Sequence, residues 1–480
     1  MHPIISSGGF NGLVLITIKA CTTPSLLNAA IAVMGTPIPD TSLVSEQLAQ
    51  PNITIHYPVY TTHDEPMPTG QLKGEGWRRL TTRYPDRAVV DAILGICRFG
   101  ARIGYAGQRH TITIHPNLST ANISPNLVSS DIAHEPSMNR LNQYPSYDAL
   151  PHEFTASPLG LTDKADGSKR RIHHLSFPAE SPTSINSGIP EEYGAIRYSS
   201  ISDATSAIRV LGKGCLLLKR DFESAFWHIP ISPIDSPLLG FEWAGTYYSE
   251  RFLPFALRTA PYLFNLFAEL FHWILADSLN SLNSEASIIH YLDDFLIVLP
   301  PHGNAIDCGS TFAELSSEVG LSIKVAKNEE GPTASFGGVE FNTIAMVIRL
   351  PTRKLHKACQ LVEAAISQHS LSLVELQTLT GYHNFVAIVV PLGRTFLRRL
   401  YNMQMFFHPG RRTSRRRVST EATKRLKIVG ERTSHETRPV HSETRARNCH
   451  IMVGYSGNER PWGILYRQKT KSMQTIKLCS

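Results

Sequence analysis

The hydrophobic positions of this chain fall into two periods, and the changes between them mark the elements. AVVDAILGICRF, at the centre of a helical stretch from Trp77 to Gly107, repeats at three- and four-residue spacing. SPLGLTDKADGSKRRIHHLSFP reads as strand, turn, strand, with Asp166–Gly167 as the hairpin signal. A helix is predicted at Ile201–Leu211, followed by the apolar strand CLLLK, which runs into Asp221. LLGFEWAGTYYSERFLPF predicts a second hairpin turning at Ala244–Gly245–Thr246. Thr259–Ala260–Pro261 opens a helix, with proline suited to its first turn. Leu263, Leu266, Phe267, Leu270 and Ile274 share one face of it. ASIIHYLDDFLIVLP is two β-rich runs around Asp293–Asp294, and helical patterning returns from Thr352 through LHKACQLVEAAI and LVELQTLTGYHNFV.

The remainder is punctuated rather than periodic. Residues 1–70 are rich in Pro, Thr and Ser and read as linker-like, and 115–150 have loop composition within an N-terminal extension at 71–150. The organised body is expected at 151–345, a further helical domain at 346–405, and a basic irregular tail at 406–480.

Composition changes this picture little. A 480-residue chain with 42% hydrophobic residues can bury a sizeable core. The net charge of +7 is concentrated: 12 Lys and Arg stand against 4 Glu between Gly410 and His450, leaving the rest close to neutral. A nucleic-acid groove in the main body must then come from local clustering, whereas the tail is suited to phosphate backbones. The seven cysteines, Cys21, Cys97, Cys215, Cys308, Cys359, Cys449 and Cys479, form no C-x-x-C pair and read as reduced thiols of an intracellular protein. The apolar stretch Phe10–Met34 is broken by Lys19, Pro24 and Asn28, and no membrane partner is expected. RRTSRRR is a weak nuclear signal, which leaves nucleus and cytoplasm both open.

The chemistry concentrates in YLDDFLIV and KRDFESAF. Adjacent aspartates between apolar strand-like runs repel one another, and burying them is costly unless a cation offsets them. An ordinary tight turn would use Asn-Gly or Asp-Gly. Asp221, at the end of CLLLK, can project toward the tip of a neighbouring hairpin. Together Asp221 and Asp293 could hold two Mg²⁺ through hard oxygen ligands. Taken alone, an exposed Asp-Asp turn and a helix-capping Asp221 remain the bland alternative.

Six ordered blocks replace that alternative. SPLGLTDKADGSKRRIHHLSFP, LKRDFESAFWHIPI, LPFALRTAPYLFN, HYLDDFLIV, GPTASFGGVEF and LQTLTGYHNF followed by VVPLGRTFLRRL resemble the reverse transcriptases of retroelements, most of all the tyrosine-recombinase (DIRS-type) retrotransposons. The resemblance spans about Trp77 to Tyr401. It implies an α+β right-hand polymerase: fingers near 150–200, a palm near 201–345 with an antiparallel sheet backed by helices, and a thumb near 346–405. It implies an RNA-directed DNA polymerase that takes an RNA or DNA template with primer, dNTPs, and two Mg²⁺ ions or Mn²⁺ in their place.

The resemblance also implies roles. Asp221 and Asp293 would be metal ligands, Asp294 the second carboxylate of its motif, and the Phe222 carbonyl part of one metal's shell. Lys164 and Arg170, or Arg171 with a one-residue register change, would clasp the triphosphate. Phe226 would exclude a 2′-hydroxyl, and Lys327, with Lys324 nearby, would protonate the departing pyrophosphate. Phe336, Gly337 and Gly338 would grip the primer, the glycines admitting its backbone.

Two departures stand out. The family's LPFGLRSAP reads LPFALRTAP here, placing Ala256 where a glycine lies beneath the nucleotide. A left-handed backbone at that point would make alanine cost about 1 kcal/mol, and its methyl would crowd the substrate. Relatives often carry a ribonuclease H domain, but no aspartate follows Asp307, so no such activity is expected of this chain. The competing readings are a decayed remnant that only binds nucleic acid, favoured by Ala256 and the tail, and an RNA-dependent RNA polymerase, opposed by Phe226.

Overall fold

The computed structural model describes residues 58–439, leaving out 59, 61–63, 65, 67–69, 110, 136–138, 164–166, 180, 195, 197, 283–284, 391–392, 408–413, 425 and 427–437. Lys164, the apolar stretch Phe10–Met34, and Cys21, Cys449 and Cys479 lie outside the described residues. The described residues divide into two compact units, one ending at 345 and one beginning at 346.

The first unit opens with helices Gly74–Leu80 and Arg87–Phe99. Asp86 caps the second by accepting hydrogen bonds from the amides of Ala88 and Val89. Its apolar stripe, Val89, Val90, Ile93 and Ile96, is fully buried. The 115–150 segment, expected as loop, instead forms helices Ser119–Ile123 and Pro125–His134 and strand Leu141–Tyr144. Proline at the start of the second helix reads as a breaker in sequence but is favourable at a first turn. Leu141–Tyr144 closes one edge of a five-stranded sheet containing the hairpin Gly240–Trp243 and Thr246–Glu250. Trp243 pairs with Thr246, so the turn is Ala244–Gly245 alone, both with positive φ (52° and 80°). A separate two-stranded hairpin pairs Leu159–Asp163 with Lys169–His173.

The element that positions the carboxylates is a four-stranded antiparallel sheet. Its spatial order is Glu329–Gly331, Leu216–Asp221, Asp294–Leu299, Ser287–Tyr291. Strand side chains alternate between faces, so the register assigns every residue a side. Phe295, Ile297 and Leu299 enter the main core with Leu218. There they meet helices Ala260–Ser281 and Ala305–Val319, whose Phe271 and Phe312 pack at 5.6 and 5.7 Å from the Phe295 ring. Asp221, Lys219 and Asp294 therefore share the opposite face, where helix Ile201–Leu211 packs. The helix Ala260–Ser281 was expected to bury one stripe. It is buried nearly all round, with Tyr262, Phe264, Phe271 and Trp273 as well as Leu263 and Phe267, so it is a central core helix.

The second unit packs helices Thr352–Ser367, Leu373–Val386 and Gly393–Gln404 around Leu371, Leu376, Leu379, Leu397 and Leu400. The expected irregular tail is corrected here in part. Arg415–Arg417 forms a strand antiparallel to Ser370–Ser372, and Val418, Ala422 and Leu426 are buried in the same core. Arg415 donates to Gln368, Ser370 and Glu375, so part of the tail's charge is structural. Basic composition hid this because the apolar anchors are few and far apart. Among the described residues no helix is long and apolar enough to cross a membrane.

Candidate active site

The strand Leu216–Asp221 ends at a carboxylate that pairs directly with another: Asp221 lies opposite Asp294. Asp294 also pairs with Tyr291, which leaves Leu292–Asp293 as a two-residue turn. Leu292 holds φ at 54°, where such turns ordinarily use glycine. Ser224, three residues past Asp221, is also left-handed at 57°. Strained backbone at both edges of one carboxylate cluster is the kind of cost retained where function requires it. The Phe222 amide donates to the Asp293 carbonyl at 3.0 Å and ties the turn to the end of the Asp221 strand. The Phe222 ring is buried and packs at 5.2 Å from Phe271 and 5.4 Å from Phe295. The three aspartates are thus held by backbone pairing on one side and an aromatic core on the other.

Their charge is poorly compensated. Burial raises the Asp294 carboxyl to about 7, with Lys219 opposing the rise and Asp221 and Asp293 adding to it. Burial and then Asp221 raise Asp293 as well. One oxygen of Asp294, Oδ1, is buried without a hydrogen-bond partner, since the Lys219 ammonium stands 3.6 Å away, beyond bonding reach. Lys327 donates from Nζ to both oxygens of Asp221, at 2.9 and 2.7 Å. Burial works against the charge on Lys327, but the bond to Asp221 and the three carboxylates outweigh it and raise its pKa. Lys324 does not share this contact; its amide donates to the Asp221 carbonyl at 2.8 Å. Among the described residues no three His, Cys, Asp or Glu side chains converge as a ready-made metal cage. The donor set nevertheless fits hard divalent cations: three carboxylates, one with an orphaned buried oxygen, gathered where an ammonium ion already neutralises part of the charge.

The other predicted residues assemble nearby. Phe226 sits in the short 3-10 turn Ala225–His228, its ring 5.2 Å from Phe255 and 6.0 Å from Phe264. Arg170 is exposed and holds its guanidinium 5.8 Å from the Phe255 ring. Arg171 points elsewhere: it donates to Asp131 at 2.8 Å and lies over Phe241. Of the two registers for the basic hairpin residue, the free surface therefore belongs to Arg170. Ala256 is exposed and does not have positive φ, which corrects the expectation of backbone strain at this position. Phe336 is buried at the end of its strand and pairs with Val339 across Gly337–Gly338, both left-handed at 58° and 82°.

Sequence reasoning missed two contributors. Lys219, which also reaches Glu329 at 3.6 Å, could have been found two positions before Asp221 on the same strand face. Asn186 left no such signal. It donates to the carbonyl of Ala256 at 2.9 Å and accepts from the Arg258 amide at 2.8 Å, pinning the LPFALRTAP loop from seventy residues away.

Residues 172–341 match the family model described as reverse transcriptase (RNA-dependent DNA polymerase). That segment is thus similar to a reverse transcriptase domain. All three aspartates and the glycine turn lie within it. Over 254 residues, 51% of the chain, it is 25% identical to the Gag-Pro-Pol polyprotein of human T-cell leukemia virus 3 (strain 2026ND), of which it covers 16%. Over 118 residues, 24% of the chain, it is 29% identical to the genome polyprotein of petunia vein clearing virus (isolate Shepherd), of which it covers 5%. The chain thus spans a small part of the curated relatives it matches. A solved structure of the foamy viral protease-reverse transcriptase with double-stranded DNA aligns with 80% of this chain and 62% of its own, at 16% identity and a TM-score of 0.49.

Proposed function

We propose that this chain is the RNA-directed DNA polymerase of a retroelement, extending a primer 3′-end with dNTPs on an RNA or DNA template. The observation that carries the reading is the register of the central sheet. It sets Asp221 opposite Asp294, holds Asp293 in the turn between strands, and leaves a buried carboxylate oxygen unpartnered. In this reading Asp221, Asp293 and Asp294 hold divalent ions, Mg²⁺ first and Mn²⁺ as substitute. Bound ions would lower the pKa of the 3′-hydroxyl and offset charge on the leaving pyrophosphate. Lys327, held at Asp221, would supply a proton to that pyrophosphate and Arg170 would bind the triphosphate, a role the sequence motif also assigns to Lys164. Phe226 sets the floor of the sugar pocket with Phe255, Ala256 lies on the loop beneath the nucleotide, and the Gly337–Gly338 turn admits the primer backbone. The six ordered motif blocks support assignment to the tyrosine-recombinase, DIRS-type elements within this class.

The test is extension of oligo-dT on poly-A RNA with and without Mg²⁺. Asp293→Asn should reduce extension to under about 1% of wild type, a loss of about 2.7 kcal/mol or more in transition-state stabilisation. Template–primer affinity in the absence of metal should stay within a few-fold. Equal extension by variant and wild type would remove the carboxylates from the mechanism.

A further inference from the structure

The polymerase reading leaves unused the short segment that leads into helix Ile201–Leu211. Tyr198 stacks on Tyr291 with ring centroids 4.5 Å apart and planes 26° from parallel. Both rings stay open to solvent, at 37% and 44% exposure. Tyr291 is the residue immediately before the strained Leu292–Asp293 turn. Three residues after Tyr198, Ile201 touches the other turn of the site. A methyl built on Gly337 would come within 2.9 Å of the Ile201 Cγ1, so this side chain already fills the space beneath that turn. The segment between the two contacts is fixed by a capping box. The Ser200 hydroxyl accepts from the Asp203 amide at 3.3 Å, and the Asp203 carboxylate accepts from the Ser200 amide at 2.7 Å. Four consecutive residues thus touch the carboxylate turn at one end and the glycine turn at the other.

We propose that Tyr198–Ile201 is a positioning brace that holds the carboxylate turn and the glycine turn at a fixed separation, with Tyr198 acting through Tyr291 to set the primer end against the carboxylates. The inference rests on the polymerase reading. Its physical basis is that Leu292, strained at 54°, gives its end of the two-residue turn no reason to keep one conformation, while the Phe222 amide ties the Asp293 end. An offset stack beside it supplies that reason at low entropic cost, because an aromatic side chain has only two rotatable bonds to order. Polymerisation requires the 3′-hydroxyl and the carboxylates to keep sub-ångström register, so a loosened turn should slow chemistry before it weakens binding.

The experiment compares Tyr198→Ala and Tyr198→Phe in the full chain. Tyr198→Ala should lower kcat for primer extension by about five- to tenfold, the size of one lost aromatic pair. The dissociation constant for primer–template should change less than about twofold, and Tyr198→Phe should recover the wild-type rate because it retains the stack. Amide hydrogen exchange across 290–295 should quicken in Tyr198→Ala and not in Tyr198→Phe. That readout needs no activity, so it separates the brace from the polymerase reading: an inactive wild type with the exchange difference intact sinks the polymerase and keeps the brace. Unchanged exchange in Tyr198→Ala overturns the brace. So does a loss of rate shared equally by both variants.

Discussion

Ala256 shows how a residue-scale expectation divides once the backbone is known. Two costs were attached to it, a strained φ and a methyl group against the substrate. The first is absent, because Ala256 does not occupy the left-handed region and its side chain is exposed. Only the second remains, and it acts only when nucleotide is bound. Ala256→Gly should therefore lower the Michaelis constant for dNTP without raising the melting temperature. An increase in melting temperature would mean that the strain exists after all. Phe226 gives a sharper test. Its ring is confined between Phe255 and Phe264, and a packed aromatic wall cannot stretch to accept an added hydroxyl. Phe226→Ala should accept ribonucleotides far better while keeping some dNTP incorporation, measured by single-nucleotide extension with the two sugars in parallel. A variant that keeps the wild-type preference would place the sugar gate elsewhere.

Elements show why the glycine turn was legible and the carboxylate turn only half so. Gly337–Gly338 closes a two-residue hairpin with both φ values positive, the conformation that glycine adopts at least cost. Gly337→Ala should destabilise the first unit by about 1–2 kcal/mol, since it adds both backbone strain and a contact with Ile201. Ile201→Ala in that background should recover the steric part and leave the strain, a separation readable by denaturant unfolding of the single and double variants. Recovery of nothing would show that Ile201 does not limit the turn. The carboxylate turn carries Leu-Asp where a turn-forming pair is expected. Sequence reasoning could see that the aspartates were out of place, but not that Leu292 bears the strain.

The whole molecule adds a buried polar cluster behind the carboxylate hairpin. Glu269 and His272 on the core helix face His290 on the neighbouring strand. The two histidine Nδ1 atoms lie 2.9 Å apart, Glu269 is 3.6 Å from the far side of His290, and Asn265 donates to Glu269 at 3.4 Å. Burial raises Glu269 from its ordinary 4.5 to about 7 and lowers His272 to about 4. A carboxyl raised in the folded state contributes stability below its unfolded value and loses it as pH rises through the folded one. The Glu269 contribution should therefore decline between about 4.5 and 7. Glu269→Gln keeps the shape and removes the titration. The melting temperature of the variant relative to wild type should climb by several degrees from pH 5 to pH 8, while the histidine contribution, opposite in sign and common to both proteins, largely cancels. A difference that does not vary with pH would show that Glu269 is not held as a buried acid.

The sequence by itself determined the strands that end at Asp221 and flank Asp293–Asp294, the hairpins, and the helices at Ile201 and Ala260. Each is set by a local period or a local turn preference, and those are short-range properties of the chain. It also marked the aspartates, because like charges beside apolar runs are locally costly. Tertiary structure alone decided that Asp221 lies opposite Asp294, that Asn186 pins the loop bearing Ala256, and that Arg170 rather than Arg171 faces the aromatic pocket. It decided as well that Val418 and Leu426 of the basic tail are core residues. These are pairings between residues tens of positions apart. No local period encodes them, because the partner of a strand edge or a buried amide is chosen only when the surfaces of separate elements meet.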